Sequence, residues 1–172
     1  MILHKSRWNP IVFSVEDKIM KLLFKQKVFS WFDSYNVFDE DGNTVFTVKG
    51  AVSLGHLLNV FDGMGNKIGY VKQKIFSTLP RFDIFIGDSR IGSISKKFSL
   101  FKPKFSIDFN GWQVSGNMLG RDYGVVDSEG KAVASVSKQI WNVGDTYVID
   151  VCDPADAVYA MLLVIAIDAE RS

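Results

Sequence analysis

The segment that most constrains this chain is Val158 to Ile167, an apolar run with no charge closer than Asp156 and Asp168. The signals for a helix start lie just before it. Asp153 can cap, Pro154 suits the first helical position, and Asp156 puts an acid in the first turn, where the helix dipole favours one. The spacing predicts a helix over 154–168. From Ala157 onward that helix has no face for water, and a helix apolar all round has to be enclosed by protein or lipid. Length excludes a crossing: at ~1.5 Å per residue the helix spans about 22 Å, whereas a bilayer-spanning helix needs roughly 20 apolar residues. The rest of the chain must therefore supply a wall.

Residues 21–152 read as that wall. Phe105-Ser106-Ile107-Asp108-Phe109 and Trp112-Gln113-Val114-Ser115 alternate apolar and polar residues with the period of a half-buried strand, as does Tyr147–Val151 on one face. Turn chemistry separates such runs: Asp39-Glu40-Asp41-Gly42-Asn43, Asp62-Gly63-Met64-Gly65-Asn66, Asn110-Gly111 and Asp127-Ser128-Glu129-Gly130. Short strands at close spacing predict an all-β sandwich or barrel rather than βαβ units, and closing a barrel removes exposed sheet edges. The 14 Phe residues are then expected to line the inside of the wall. Lys25-Gln26-Lys27-Val28-Phe29-Ser30 also recurs as Lys72-Gln73-Lys74-Ile75-Phe76-Ser77, with weaker echoes at Lys96-Lys97-Phe98-Ser99 and Ser137-Lys138-Gln139-Ile140-Trp141. One hairpin recipe reused around a sheet accounts for this, as would a repeated binding site.

The residues offer little for catalysis. A single cysteine, Cys152, excludes an intramolecular disulfide framework, and the two histidines, His4 and His56, leave little for metal or acid–base work. Cys152 is flanked by Asp150 and Asp153 with no histidine nearby in sequence, so it reads as a structural thiol. Gly63 to Gly69 has the wrong final spacing for a dinucleotide loop, and Gly111, Gly116 and Gly120 lack the Lys-Ser/Thr of a phosphate loop. Neither Asp39-Glu40-Asp41-Gly42 nor Asp127-Ser128-Glu129-Gly130 fits an EF-hand loop, and in the acidic cluster Asp145, Asp150, Asp153 and Asp156 the last two already serve the helix start. The reading is a protein that is not an enzyme, with no cofactor and no metal. The N-terminus lacks the uninterrupted apolar core of an export signal, which makes the cytoplasm the expected location.

Charge carries the remaining signal. The formal net charge is +1, yet residues 67–104 sum to +7 and residues 105–172 to −6. Lys72 and Lys74, like Lys102 and Lys104, are spaced to share a strand face. With Lys96 and Lys97 they make a candidate basic face for anionic lipid headgroups, where each lysine near a membrane surface is worth about 1 kcal/mol. A solvated edge that blocks strand-to-strand pairing is the competing explanation. Interleaved Phe98, Phe101 and Phe105 invite a nucleic-acid reading, but alternation sends those rings toward the core, and no nucleic acid is expected.

Residues 25–50 (KQKVFSWFDSYNVFDEDGNTVFTVKG), 70–86 (YVKQKIFSTLPRFDIFI), 95–116 (SKKFSLFKPKFSIDFNGWQVSG) and 141–169 (WNVGDTYVIDVCDPADAVYAMLLVIAIDA) together resemble the LURP-one-related family. That family is a branch of the tubby C-terminal-like superfamily, which also includes the phospholipid scramblases. The resemblance implies a closed antiparallel β-barrel of about twelve strands around a central hydrophobic C-terminal helix. It implies one domain over 20–172, with residues 1–19 an extension outside the match and Met20 near an alternative start. The function expected is a non-catalytic cytoplasmic binding module for anionic phospholipid or a membrane surface, through Lys72, Lys74, Lys96, Lys97, Lys102 and Lys104. The alternatives are a structural or protein-interaction scaffold without lipid affinity and a tubby-like membrane-tethered regulator. The expected partners are anionic headgroups or a protein.

Overall fold

A computed structural model describes residues 19–25, 34–97, 104–141 and 144–171. Among these residues, twelve strands precede one α-helix. They are β1 (Met20–Lys25), β2 (Ser34–Phe38), β3 (Thr44–Ala51), β4 (Leu57–Asp62), β5 (Lys67–Gln73), β6 (Arg81–Ile86), β7 (Ser89–Lys97), β8 (Lys104–Phe109), β9 (Gln113–Asn117), β10 (Asp122–Val126), β11 (Ala132–Trp141) and β12 (Gly144–Val151). All pair antiparallel in one sheet, ordered β8-β7-β6-β5-β4-β3-β2-β1-β12-β11-β10-β9. The chain thus winds as sequential hairpins, and only the β1–β12 pairing, from Met20 opposite Val151 to Lys25 opposite Thr146, joins distant parts of the chain.

The expected barrel forms and is nearly closed. Its two edges are β8 and β9, neighbours in sequence that share no ladder. Asn110 and Gly111 both adopt positive φ, 50° and 65°, in the tight turn between them, and the Trp112 amide donates to the Phe109 carbonyl at 2.8 Å. That pair of angles is the reason for Asn-Gly there. Phe109, Trp112 and Tyr159 cluster beside the turn with ring centroids 5.3–6.4 Å apart and fill this end of the seam.

A 3₁₀ turn (Pro154–Asp156) leads into α1 (Ala157–Arg171). Asp153 caps it as expected, its carboxylate accepting from the Ala155 amide at 2.9 Å. Every residue from Ala160 to Glu170 is buried. Side chains such as Leu162, Leu163 and Ile165 contribute roughly 1.5–3 kcal/mol each by leaving water. The core that encloses α1 includes Leu58, Val60, Val71, Ile84, Ile94 and Ile149 from the wall, buried residues of their strands. A Cβ on Gly69 would lie 2.5 Å from the Phe85 carbonyl oxygen and 3.1 Å from Leu162, so glycine there allows the wall to approach the helix.

Two sequence expectations are corrected. The helix runs to Arg171 rather than ending at Asp168, because the acids of its last turn meet cations described below. The phenylalanines line the interior only in part: of nine described, Phe24, Phe46, Phe82 and Phe109 are buried and Phe105 packs against the same core, while Phe38, Phe61 and Phe85 are half-buried and Phe76 is exposed. A barrel already filled by a helix has little room for rings. Outer-wall rings stack instead: Tyr70 lies 4.4 Å from Phe85 and nearly parallel to it, and the Lys49 ammonium sits 4.9 Å from the Phe61 ring centre. Phe98 and Phe101 lie outside the described residues.

Candidate functional site: the loop mouth of the barrel

Antiparallel winding gives the barrel two unlike ends. At the first, three hairpins turn through the same Asp-x-x-Gly unit. Asp39 Oδ1 accepts from the Asp41 and Asn43 amides at 3.0 and 2.8 Å. Asp62 does the same for Met64 and Asn66 at 2.9 and 2.8 Å, and Asp127 for Glu129 and Lys131, both at 2.9 Å. Each glycine takes the left-handed conformation, with φ of 83°, 86° and 84°, and each adjoining ladder shifts register by a bulge. Hydrogen bonds from Asn43 and Asn66 hold the Asp39 and Asp62 carboxyls below the ordinary value of 3.8.

The other end, a mouth of longer connections, receives the C-terminus of α1. Negative side chains are disfavoured at a helix C-terminus, yet Asp168 and Glu170 are both buried there. Arg121 answers the first. It comes from the β9–β10 turn, and its guanidinium holds Asp168 through bonds of 2.8 and 3.1 Å while lying 4.2 Å from the Tyr147 ring centre. Burial opposes the charge on Arg121, but the bonds and charge of Asp168 outweigh it and raise its pKa. Arg121 sits at φ 57°, a costly conformation for a non-glycine residue that the ion pair offsets. Tyr35 packs partly buried beside this cluster. Burial and the Asp168 charge push its phenol well above the ordinary range, while Arg121 opposes them.

Glu170 is less well satisfied. Its side chain is fully buried and its nearest cation is Lys96, 3.8 Å away. Neither carboxylate oxygen has a hydrogen-bond partner. Burial raises its pKa, with Lys96 pulling the other way.

The candidate lysines divide by strand parity. Lys72 is the last residue but one of β5 and Lys74 follows the strand, both exposed; Lys96 and Lys97 end β7; Lys104 begins β8 opposite Lys97. These strands lie side by side, so the positions come to one mouth. Lys97 is exposed, whereas Lys96 shares the parity of Gly92 and Ile94, which puts it on the inward face and explains its reach to Glu170. Lys102 and the side chain of Lys104 lie outside the described residues. Other basic residues of the segment are engaged on the outer wall: Arg81 and Arg90 both bond Asp83, at 2.9 and 3.0 Å, and Lys67 caps the Tyr70 ring at 4.5 Å.

Two features escaped sequence reasoning. One is the Arg121–Asp168 pair, for which acids in the last helical turn were a usable hint. The other is a set of exposed apolar side chains at the mouth: Val52, Leu54, Ile75, Phe76, Leu79 and Leu119, with Phe76 92% exposed. The repeated Lys-Gln-Lys segment pointed toward them. The strands β1, β5, β7 and β11, which carry Lys25, Lys72, Lys96 and Gln139 in their last three residues, all end at this mouth. Of the first copy, only Lys25 is among the described residues.

The acids before the helix serve separately. Asp150 lies opposite Lys21 on β1 and Asp153 caps the 3₁₀ turn. Among the described residues, no group of three or more His, Cys, Asp and Glu is arranged to hold a metal ion. No described helix is long and apolar enough to cross a membrane.

A nearly closed twelve-stranded barrel threaded by its own C-terminal helix defines the class of protein. The LURP-one-related profile matches residues 20–168, and the chain belongs to that family. It is 32% identical over 151 residues to the uncharacterized protein YxjI of Bacillus subtilis, a match spanning 87% of this chain and 93% of that protein. An X-ray structure of a protein from Arabidopsis thaliana has a TM-score of 0.60 at 21% identity, covering 90% of this chain and 93% of that one. The likeness to the latter shows the fold.

Proposed function

We propose that the protein is a non-catalytic binding module whose loop mouth docks on anionic membrane surfaces. The observation that carries this reading is the gathering of Lys72, Lys74 and Lys97 at the mouth, all exposed, while the other described basic residues of β5–β7 are bound to acids or rings. Lys102 and Lys104 complete the basic segment in sequence. Lys96 serves Glu170 in the resting state and reaches a headgroup only by leaving it. The location that follows is cytoplasmic and peripheral to the membrane.

Three exposed lysines at about 1 kcal/mol each give roughly 3 kcal/mol, or about a hundredfold in partitioning. Co-sedimentation with phosphatidylserine-containing vesicles tests this, with phosphatidylcholine vesicles as control. The expected result is binding that needs the anionic lipid, weakens with salt and falls about a hundredfold in a K72E/K74E/K97E variant. No binding at low salt would leave the scaffold reading, a protein-interaction barrel without lipid affinity.

A further inference from the structure

We infer that the mouth also carries an apolar anchor: Val52, Leu54 and Phe76, on two adjoining loops, enter the boundary between headgroups and acyl chains. This rests on the membrane reading of the mouth and adds a second, salt-resistant mode of attachment to it.

Exposure supplies the first argument. Val52, Leu54 and Phe76 are 89%, 82% and 92% exposed. Single exposed apolar residues are ordinary, but six of the seven large ones among the described residues stand at one end of the barrel, the end that also bears the unengaged lysines. Their clustering marks a surface that meets something apolar.

The loops are also built rather than loose. Loop 52–56 is tied to the end of β5, from which loop 74–80 departs: the His56 amide donates to Gln73 Oε1 at 3.1 Å and the Gln73 amide donates to the His56 carbonyl at 2.8 Å. A Cβ on Gly55 would stand 3.2 Å from Ile75, so the two loops touch. The Lys74 amide donates to the Arg81 carbonyl at 2.8 Å and the Lys96 amide to the Pro80 carbonyl at 3.3 Å. The Ser77 hydroxyl is placed to bond the carbonyls of Lys74 and Leu79. Backbone entering a membrane has to satisfy its own polar groups, and these loops satisfy several internally.

Charge complementarity selects the partner. Lys72 and Lys74 immediately precede Ile75 and Phe76 in sequence, an amphipathic arrangement that seats an apolar side chain below anionic headgroups while the ammonium groups stay among them. A second protein is a poorer fit, since a stable interface buries about 800 Å² per partner around a well-packed apolar core. Three nearly fully exposed side chains on two loops, with Ile75, Leu79 and Leu119 only about half-exposed beside them and lysines at the border, make a smaller apolar centre than that.

The test uses the full chain, phosphatidylserine-containing vesicles and an L54S/F76S variant, in which both replaced side chains are exposed and the fold is left intact. The variant is expected to bind at least about tenfold more weakly than the parent. The difference should persist at about 1 M salt, where the screening length is only about 3 Å. In parallel, F76W fluorescence should be quenched by brominated acyl chains beyond the parent's quenching. Equal binding by parent and variant, or no added quenching with binding intact, overturns the anchor while docking stands. Absence of binding by the parent at low salt overturns the docking reading and the anchor with it. A lipid-free change from dimer to monomer in L54S/F76S would instead identify the loops as an interface between copies and overturn the inference.

Discussion

The two ends of this barrel solve the same problem by opposite means. At the turn end, each Asp-x-x-Gly hairpin satisfies its carboxylate within five residues, through amides of its own turn. At the mouth, the carboxylates of Asp168 and Glu170 are buried and depend on cations far away in sequence, Arg121 and Lys96. Local satisfaction makes the first end autonomous and insensitive to what surrounds it. Remote satisfaction ties the second end to the closure of the whole barrel, and it leaves Lys96 with two competing anions when a membrane is near.

The sharpest way to break the contrast is Arg121→Ala. It removes the guanidinium that holds the buried Asp168 carboxylate, a loss of roughly 3–5 kcal/mol that a shift in the urea midpoint would read. The strained φ at position 121 would remain, now with nothing to offset it.

Glu170→Met should act in the opposite direction. Burial raises the folded pKa of Glu170 above its ordinary value of 4.5, so the native state holds the proton more tightly than the unfolded chain. Its contribution to stability therefore falls as pH rises from 4.5 through the folded pKa, and the deficit is complete above that. The methionine variant should exceed the parent at neutral pH by about 1–3 kcal/mol, the cost of a buried polar group without a hydrogen bond. The advantage should vanish in acid. A parent more stable than the variant at neutral pH would mean that Lys96 satisfies Glu170 fully.

The turn end should give the smallest effect and the reverse pH dependence. Asp39 and Asp62 have folded pKa values below 3.8. The stability they contribute is present above the unfolded value and is lost as pH falls through the folded one. A D39N/D62N variant should melt close to the parent at neutral pH and show a flatter acid limb when melting temperature is followed against pH.

The parts legible in the sequence were those with a local cause. Asp153-Pro154 announces a helix start, and the run after it demands enclosure. The Asp-x-x-Gly units each close a hairpin because a side chain and a left-handed glycine complete the turn without outside help. The sorting of the lysines had no local cause. Lys96 and Lys97 look equivalent in sequence, and strand parity at the barrel mouth turns one inward to Glu170 and leaves the other in water.

By itself, then, the sequence determined a wall of hairpins around an apolar helix, because period, turn chemistry and the absence of any polar helix face act over a few residues. Only the tertiary structure decided which end would be closed by self-sufficient turns and which would gather Lys72, Lys74 and Lys97 with Val52, Leu54 and Phe76. Antiparallel winding brings residues 52, 76 and 97 to one mouth, and no short-range rule of composition or spacing contains that proximity.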